Sequence, residues 1–102
     1  MTLMELTMYP LGEGESLSSD VARLLKIIDE SGLDYRLGAM GTVVEGEWDD
    51  LTALLTRCFR ELEKDKARIA AYVKFDYRKG MTKRLEGKIT SVESKAGMRF
   101  IR

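Results

Sequence analysis

The sequence predicts an α+β fold in which the elements follow the order β-α-β-β-α-β and one further helix closes the chain. Four segments alternate apolar and polar side chains with a period of two, as half-buried strands do. Three longer segments repeat apolar side chains every three to four residues, as amphipathic helices do. With 102 residues, the chain is long enough for one domain with one core.

The first predicted strand has Met4, Leu6 and Met8 on one face, and Pro10 is expected to end it because proline has no N–H to donate. The second and third strands form a hairpin around a tight turn that contains glycine. The fourth strand is the longest. The predicted strands are residues 2–9, 33–38, 42–47 and 68–77.

Each predicted helix has an apolar stripe and candidate end signals. Ser16 is a candidate N-cap for the first helix, and Gly32 is a candidate C′ residue after it. Thr82 is a candidate cap for the third, whose stripe is thin and which Gly87 weakens by about 1 kcal/mol relative to alanine. We therefore expect the third helix to pack on the body or on a neighbouring subunit. The predicted helices are residues 17–31, 48–64 and 83–95.

This order of elements is that of a ferredoxin-like sandwich, an antiparallel sheet with two helices on one face. We expect a single domain over residues 1–102, with the sandwich at about 2–79 and the C-terminal helix and tail at about 82–102. The two helices cover one face, so the other is expected to be open. By alternation the open face carries Leu3, Glu5, Thr7, Tyr9, Arg36, Val43, Glu45, Tyr72, Lys74 and Asp76.

Charge and composition disfavour several classes of protein. The 17 basic and 17 acidic residues give a formal net charge of zero, whereas nucleic-acid modules usually carry a basic excess. The third strand, Thr-Val-Val-Glu-Gly-Glu, lacks the aromatic side chains that RNA-binding modules of this topology use. No apolar run is long enough for a membrane span, no signal peptide is evident, and the single Cys58 suits a reducing compartment. We therefore expect a cytoplasmic protein without membrane or nucleic-acid partners.

Catalysis and metal binding are not expected. The sequence has no histidine, which removes the commonest general base and metal ligand. Glu5, Glu45 and Asp76 share the open face, but Arg36 and Lys74 on the same face would oppose the raised pKa that a carboxylate pair needs. No spacing of acids resembles a dedicated metal loop. We therefore predict a protein that is not an enzyme and has no cofactor.

The loop at residues 10–16 contains two glycines between a strand and a helix, as phosphate-binding loops do. Glu13 and Glu15 would repel an anion there, and no Lys-Ser or Lys-Thr pair follows them. We interpret this loop as a connector whose acids favour the start of the first helix. The mixed open face remains open to two interpretations, a subunit interface and a small-molecule pocket, which are compatible.

Four segments together resemble the thiamine-binding protein family of small YkoF-like domains. The resemblance extends over about residues 3–95 and depends on the order and spacing of the segments. They are Tyr-Pro-Leu-Gly-Glu-Gly-Glu-Ser from Tyr9, Ser-Gly-Leu-Asp-Tyr from Ser31, Met-Gly-Thr from Met40 with Glu-Gly-Glu-Trp from Glu45, and Val-Lys-Phe-Asp-Tyr-Arg from Val73.

The resemblance implies a ferredoxin-like fold, dimers or tetramers assembled through the sheets, and binding of thiamine or its hydroxymethylpyrimidine part. Carboxylates would accept the aminopyrimidine or balance the cation, threonines would orient the ligand, and a tyrosine would stack on its ring. The alternative is a structural or regulatory oligomeric module with no small-molecule ligand. The candidate ligand-binding residues are Glu5, Thr7, Tyr9, Thr42, Glu45, Lys74 and Asp76.

Overall fold

The computed structural model describes residues 1–12 and 17–100 and places four strands and three helices there in the predicted order. All strand pairs are antiparallel, and the sheet order is β2-β3-β1-β4. The α+β fold class predicted from the sequence is confirmed. The elements are β1 Thr2–Pro10, α1 Ser18–Glu30, β2 Asp34–Leu37, β3 Thr42–Gly46, α2 Trp48–Glu63, β4 Ile69–Tyr77 and α3 Arg84–Ala96.

The core lies between one face of the sheet and the pair of helices α1 and α2. The side chains predicted to point inwards from β1, β3 and both helices meet there, because residues two apart on a strand share a face. Cys58 is fully buried among them, and burial raises the pKa of its thiol to about 11, as expected for an inert apolar residue. The core residues are Met4, Leu6, Met8, Leu24, Ile28, Val44, Leu51, Leu54, Cys58 and Leu62.

One predicted strand boundary and one predicted cap differ from the structure. β1 includes Pro10, which pairs with Ile69 of β4. Proline is tolerated because β1 pairs with β3 only up to Leu6, so the later part of β1 has a neighbour on one side only.

Thr82 does not cap α3, since Lys83 occupies the N-cap position and makes no side-chain capping bond. The candidate cap Ser16 lies outside the described residues, whereas Gly32 follows α1 with φ of 77°, as predicted for a C′ residue.

The β2–β3 hairpin closes at Gly38 and Gly41 and is tied to β1. The Gly38 N–H donates to the Gly41 carbonyl at 2.8 Å, and the Thr7 hydroxyl donates to the Met40 carbonyl at 2.8 Å. A Cβ at Gly41 would lie 2.7 Å from Thr7 Oγ1. Glycine is therefore needed at position 41 for this close approach of the turn to β1.

Helix α3 packs against the sheet face that was predicted from the sequence to be open. Its first two residues, Arg84 and Leu85, are buried, and its backbone packs mainly against β1 and β3. The expectation of a wholly open face is thus wrong, because α3 covers part of it. Within the described residues, no helix has the length and apolar character needed to cross a membrane.

Candidate functional site

Side chains on the α3 side of the sheet form two rows that cross the strands. The Leu3 row consists of Asp34, Glu45, Leu3 and Asp76, one residue from each strand. The Glu5 row consists of Arg36, Val43, Glu5 and Lys74. The rows are about 7 Å apart, because residues two apart on a strand share a face. The Leu3 row is acidic, and the Glu5 row has cations at both ends.

Helix α3 is held on the acids of the Leu3 row. The Glu45 carboxylate, 5% exposed, accepts a hydrogen bond from the backbone N–H of Arg84 at the start of α3. This satisfies one of the N–H groups that a helix start leaves without a partner, so Glu45 has the capping role that was predicted for Thr82. The Asp76 carboxylate pairs with the Arg84 guanidinium at 2.8 Å and with the Lys88 ammonium.

The ion pairs at Asp76 set its charge state. The hydrogen bond from Lys88 and that from Arg84 hold the pKa of Asp76 below its ordinary value of 3.8, because both cations favour the ionised carboxylate. Arg84 is 4% exposed, so Asp76 also compensates a buried positive charge. Asp76 is therefore ionised at neutral pH and connects β4 to α3.

A cavity of about 310 Å³ lies between the Glu5 row and α3. Its floor includes Leu3, Glu5 and Val43 from the sheet, and Leu85 and Ile89 from α3 line it on the other side. This volume is at the lower end of the range for small-molecule sites, about 300–1,000 Å³. The charged side chains that complete the lining are Arg36, Lys74, Asp76, Arg84 and Lys88.

Three of the seven candidate ligand-binding residues, Glu5, Lys74 and Asp76, line this cavity together. Glu45 lies beside it under the start of α3. Glu45 and Lys74 do not pair across the strands, since the register places Lys74 opposite Glu5. The three acids also form no close carboxylate pair, because Leu3 separates Glu45 from Asp76 and Glu5 belongs to the next row.

The other three candidates lie away from the cavity. The Thr7 hydroxyl donates a hydrogen bond to the Met40 carbonyl in the hairpin turn. Tyr9 stacks on Tyr72 with ring centroids 6.2 Å apart, and the neighbouring Tyr72 hydroxyl raises the pKa of Tyr9. Thr42 is opposite Leu6 on the helix-covered face and is 6% exposed. The structure therefore does not bring these three residues together with Glu5, and their contact with a ligand stays a prediction.

Four lining residues from α3 were missing from the candidate set: Arg84, Leu85, Lys88 and Ile89. A signal for them was present in the sequence. Leu85 and Ile89 belong to the thin apolar stripe of the helix that follows the β-α-β-β-α-β sandwich and is additional to it. An apolar stripe must be buried against something, and the partly uncovered sheet face was the available surface.

Metal binding finds no support in the described part of the chain. Within residues 1–12 and 17–100, no group of three or more histidine, cysteine or acidic side chains is arranged to hold a metal ion. Two acids at or beside the cavity are directed at α3: Glu45 at a backbone N–H and Asp76 at two cations. The site thus offers one carboxylate, Glu5, together with basic and apolar side chains.

Comparison with known sequences shows relatives along nearly the whole chain. The model of the family described as thiamine-binding protein matches residues 4–93. UPF0045 protein YqgV of Bacillus subtilis is 34% identical over 98 residues, covering 90% of this chain and 94% of its own length. UPF0045 protein MT1949 of Mycobacterium tuberculosis is 32% identical over 92 residues, covering 89% and 90%.

Solved structures show the same fold. MJ1052 of Methanocaldococcus jannaschii, described as a hypothetical protein, superposes with a TM-score of 0.83 at 27% identity, covering 89% of this chain and 94% of its own. TM0486 of Thermotoga maritima superposes with a TM-score of 0.79 at 24% identity, covering 89% and 97%. The description of TM0486 assigns it provisionally to thiamine biosynthesis or salvage.

Proposed function

Since the chain belongs to the thiamine-binding protein family, we propose that it binds thiamine or a related hydroxymethylpyrimidine in the cavity between the Glu5 row and α3. The observation that carries the proposal is a cavity with apolar walls and one carboxylate that α3 does not engage. Ligand sites commonly combine apolar walls with a few polar groups that fix orientation. Both features suit a flat aminopyrimidine.

The walls support binding of a flat ring. Leu3 and Val43 on the sheet lie across the cavity from Leu85 and Ile89 on α3. A planar heterocycle would therefore contact apolar groups on both sides. Burying its apolar surface favours binding by about 25 cal/mol per Å² before the costs of association. The apolar contacts would supply affinity, and the polar rim would supply orientation.

Glu5 supports recognition of the amino group. It is exposed to the cavity and forms no ion pair with another described residue. An ionised carboxylate accepts hydrogen bonds at both oxygens, and an aminopyrimidine offers an N–H donor. The negative charge of Glu5 would also balance the thiazolium of thiamine. Glu5 is therefore the residue that we expect to distinguish this ligand from an apolar ring of equal size.

The test is calorimetric titration with thiamine and with hydroxymethylpyrimidine. Wild-type protein is expected to bind both, and Glu5→Gln is expected to weaken binding by about tenfold or more, as the loss of a charge-assisted hydrogen bond would. Glu30→Gln is the matched control, because Glu30 is exposed at the end of α1 and does not line the cavity. No heat at millimolar ligand, or equal effects of the two variants, would contradict the proposal.

We also propose that binding is not coupled to catalysis. The engagement of Glu45 and Asp76 by α3 supports this, since neither carboxylate is left free to transfer a proton to a ligand. Thiamine recovered unchanged by chromatography after prolonged incubation with the protein is the expected result. Its conversion to a product, abolished by Glu5→Gln, would overturn this part of the proposal.

A second function, an oligomeric interaction module, is favoured by a separate observation. Tyr72 is 65% exposed and stacks on Tyr9 on the part of the sheet face beyond the cavity. Exposed aromatic side chains are enriched at subunit interfaces. We therefore propose that this face joins copies of the chain into a dimer or tetramer, and this assembly is compatible with a ligand site beside it.

A further inference from the structure

The charges around the cavity differ between its two ends. At the β2 end, Arg36 Nη2 pairs with Glu86 Oε1 of α3 at 3.1 Å, so one cation meets one anion. At the β4 end, three cations line the cavity with one carboxylate, Asp76: they are Lys74, Arg84 and Lys88. Three positive charges and one negative charge leave an excess of two at this end.

Glu5 reduces this excess without removing it. Glu5 lies opposite Lys74 in the register of β1 and β4, and counting it as a second carboxylate leaves one positive charge in excess. Glu45 does not line this cavity, because its carboxylate is directed at the backbone N–H of Arg84. The β4 end is thus the more electropositive end of the cavity.

Two cations at this end have free donors. Lys74 is exposed and has no ion-pair partner among the residues that the structure describes. Lys88 is bonded to Asp76, yet its side chain is 56% exposed and an ammonium group carries three N–H donors. An anionic group on a ligand could therefore be bound at this end without displacing α3 from Asp76.

The spacing of Glu5 and Lys74 matches the substituents of one ligand class. They are direct cross-strand neighbours on one face, so their Cβ atoms are about 5 Å apart. The amino and hydroxymethyl groups of hydroxymethylpyrimidine are on adjacent ring carbons. With the amino group at Glu5, the hydroxymethyl oxygen would point towards Lys74 and the electropositive β4 end.

From this geometry we infer that the preferred ligand is the phosphate monoester of hydroxymethylpyrimidine, with its phosphate at Lys74 and Lys88. The inference rests on the proposed function and deepens it by naming the charge state of the ligand. A phosphate monoester carries about −1.5 to −2 charge at neutral pH and three acceptor oxygens, so it complements the electropositive end and accepts from the free ammonium donors. The neutral parent alcohol would leave both unused.

The experiment compares hydroxymethylpyrimidine with its phosphate monoester by calorimetric titration of the full chain at low and at high salt. At low salt the phosphate ester is expected to bind about tenfold more tightly, as one charge-assisted hydrogen bond would provide. This advantage should shrink at high salt, because exposed charges are screened. Inorganic phosphate should compete with the ester and not with the parent alcohol.

Lys74→Gln should bring the ratio of the two affinities close to one. Lys79→Gln is the matched control, since Lys79 is exposed after β4 and does not line the cavity, and it should keep the ratio. Thermal unfolding checks that both variants are folded. Equal or weaker binding of the ester by wild-type protein overturns this inference alone, as does an equal effect of both lysine variants. Absence of binding by thiamine, the alcohol and the ester overturns the proposed function as well.

Discussion

Asp76 links the sheet to α3 through two ion pairs. Its carboxylate pairs with Arg84, which is 4% exposed, and with Lys88 on the next turn of α3. A buried guanidinium without a partner is costly, so the contribution of Asp76 exceeds that of an exposed ion pair. Asp76 therefore stabilises the docked position of α3 and with it the cavity.

Asp76→Asn is expected to lower the free energy of unfolding at neutral pH, because asparagine cannot form the ion pairs with Arg84 and Lys88. The folded pKa of Asp76 is below its ordinary value of 3.8, so its ion pairs stabilise the fold above that pH and lose this effect as the pH falls through the folded pKa. The difference between wild type and variant should therefore shrink as the pH falls below 3.8. Urea unfolding measured across this range checks the prediction.

Asp34→Asn is the control for this residue, because Asp34 lies on the same sheet face and is exposed. It should change stability by less than about 0.5 kcal/mol, as surface substitutions usually do. A constant difference between wild type and Asp76→Asn at every pH would show that the carboxylate charge of Asp76 does not hold α3.

At the scale of elements, α3 is attached mainly by its N-terminal end. Arg84 and Leu85 are buried, whereas Val92 in the third turn is 58% exposed. The N-cap residue Lys83 is in the left-handed region with φ of 54°, a conformation that non-glycine residues rarely adopt. The first turn is thus fixed by Glu45 and Asp76, and the later turns depend more on intrinsic helix propensity.

Gly87→Ala is expected to stabilise α3 by up to about 1 kcal/mol, because alanine is the better helix former. A Cβ at Gly87 would meet no atom within 4 Å, so no clash opposes this gain. Slower amide hydrogen exchange in α3 checks the prediction. Gly97→Ala gives the contrast: position 97 has φ of 71° at the C-cap, and alanine should speed exchange there. Unchanged or faster exchange in Gly87→Ala would contradict the prediction.

At the scale of the whole molecule, the chain is less compact than its length predicts. Its radius of gyration is 15.0 Å and its principal extents are 46 × 29 × 20 Å, whereas a compact chain of this length has a radius of about 13 Å. Tyr72 is exposed on the sheet face beyond α3. An extended shape with exposed aromatic side chains fits a subunit that associates through this face.

Light scattering should therefore give wild-type protein the mass of a dimer or tetramer, and Tyr72→Glu should lower that mass towards the monomer by placing charges at the interface. Tyr77→Glu is the matched control, because Tyr77 is also 65% exposed and lies on the other face of the sheet, in register with Thr2. A monomeric wild type, or equal effects of both variants, would contradict the assembly.

The faces of the strands could be predicted well from the sequence. Met4, Leu6 and Met8 point to the core as their alternation indicated, and Arg36 and Lys74 share the other face as expected. Alternation is a property of the extended chain itself, so it needs no knowledge of neighbouring strands. Less of the candidate site could be predicted, because a site depends on which residues of different elements meet.

By itself, the sequence determined the order of elements, their periodicities and the apolar faces of β1, β3, α1 and α2. The tertiary structure alone decided that Lys74 faces Glu5, that Glu45 accepts a bond from α3, and that α3 closes a cavity over the sheet. The physical reason is the range of the interactions. Periodicity follows from local backbone geometry, whereas register and helix docking depend on pairings between distant residues, and a thin apolar stripe does not specify its partner.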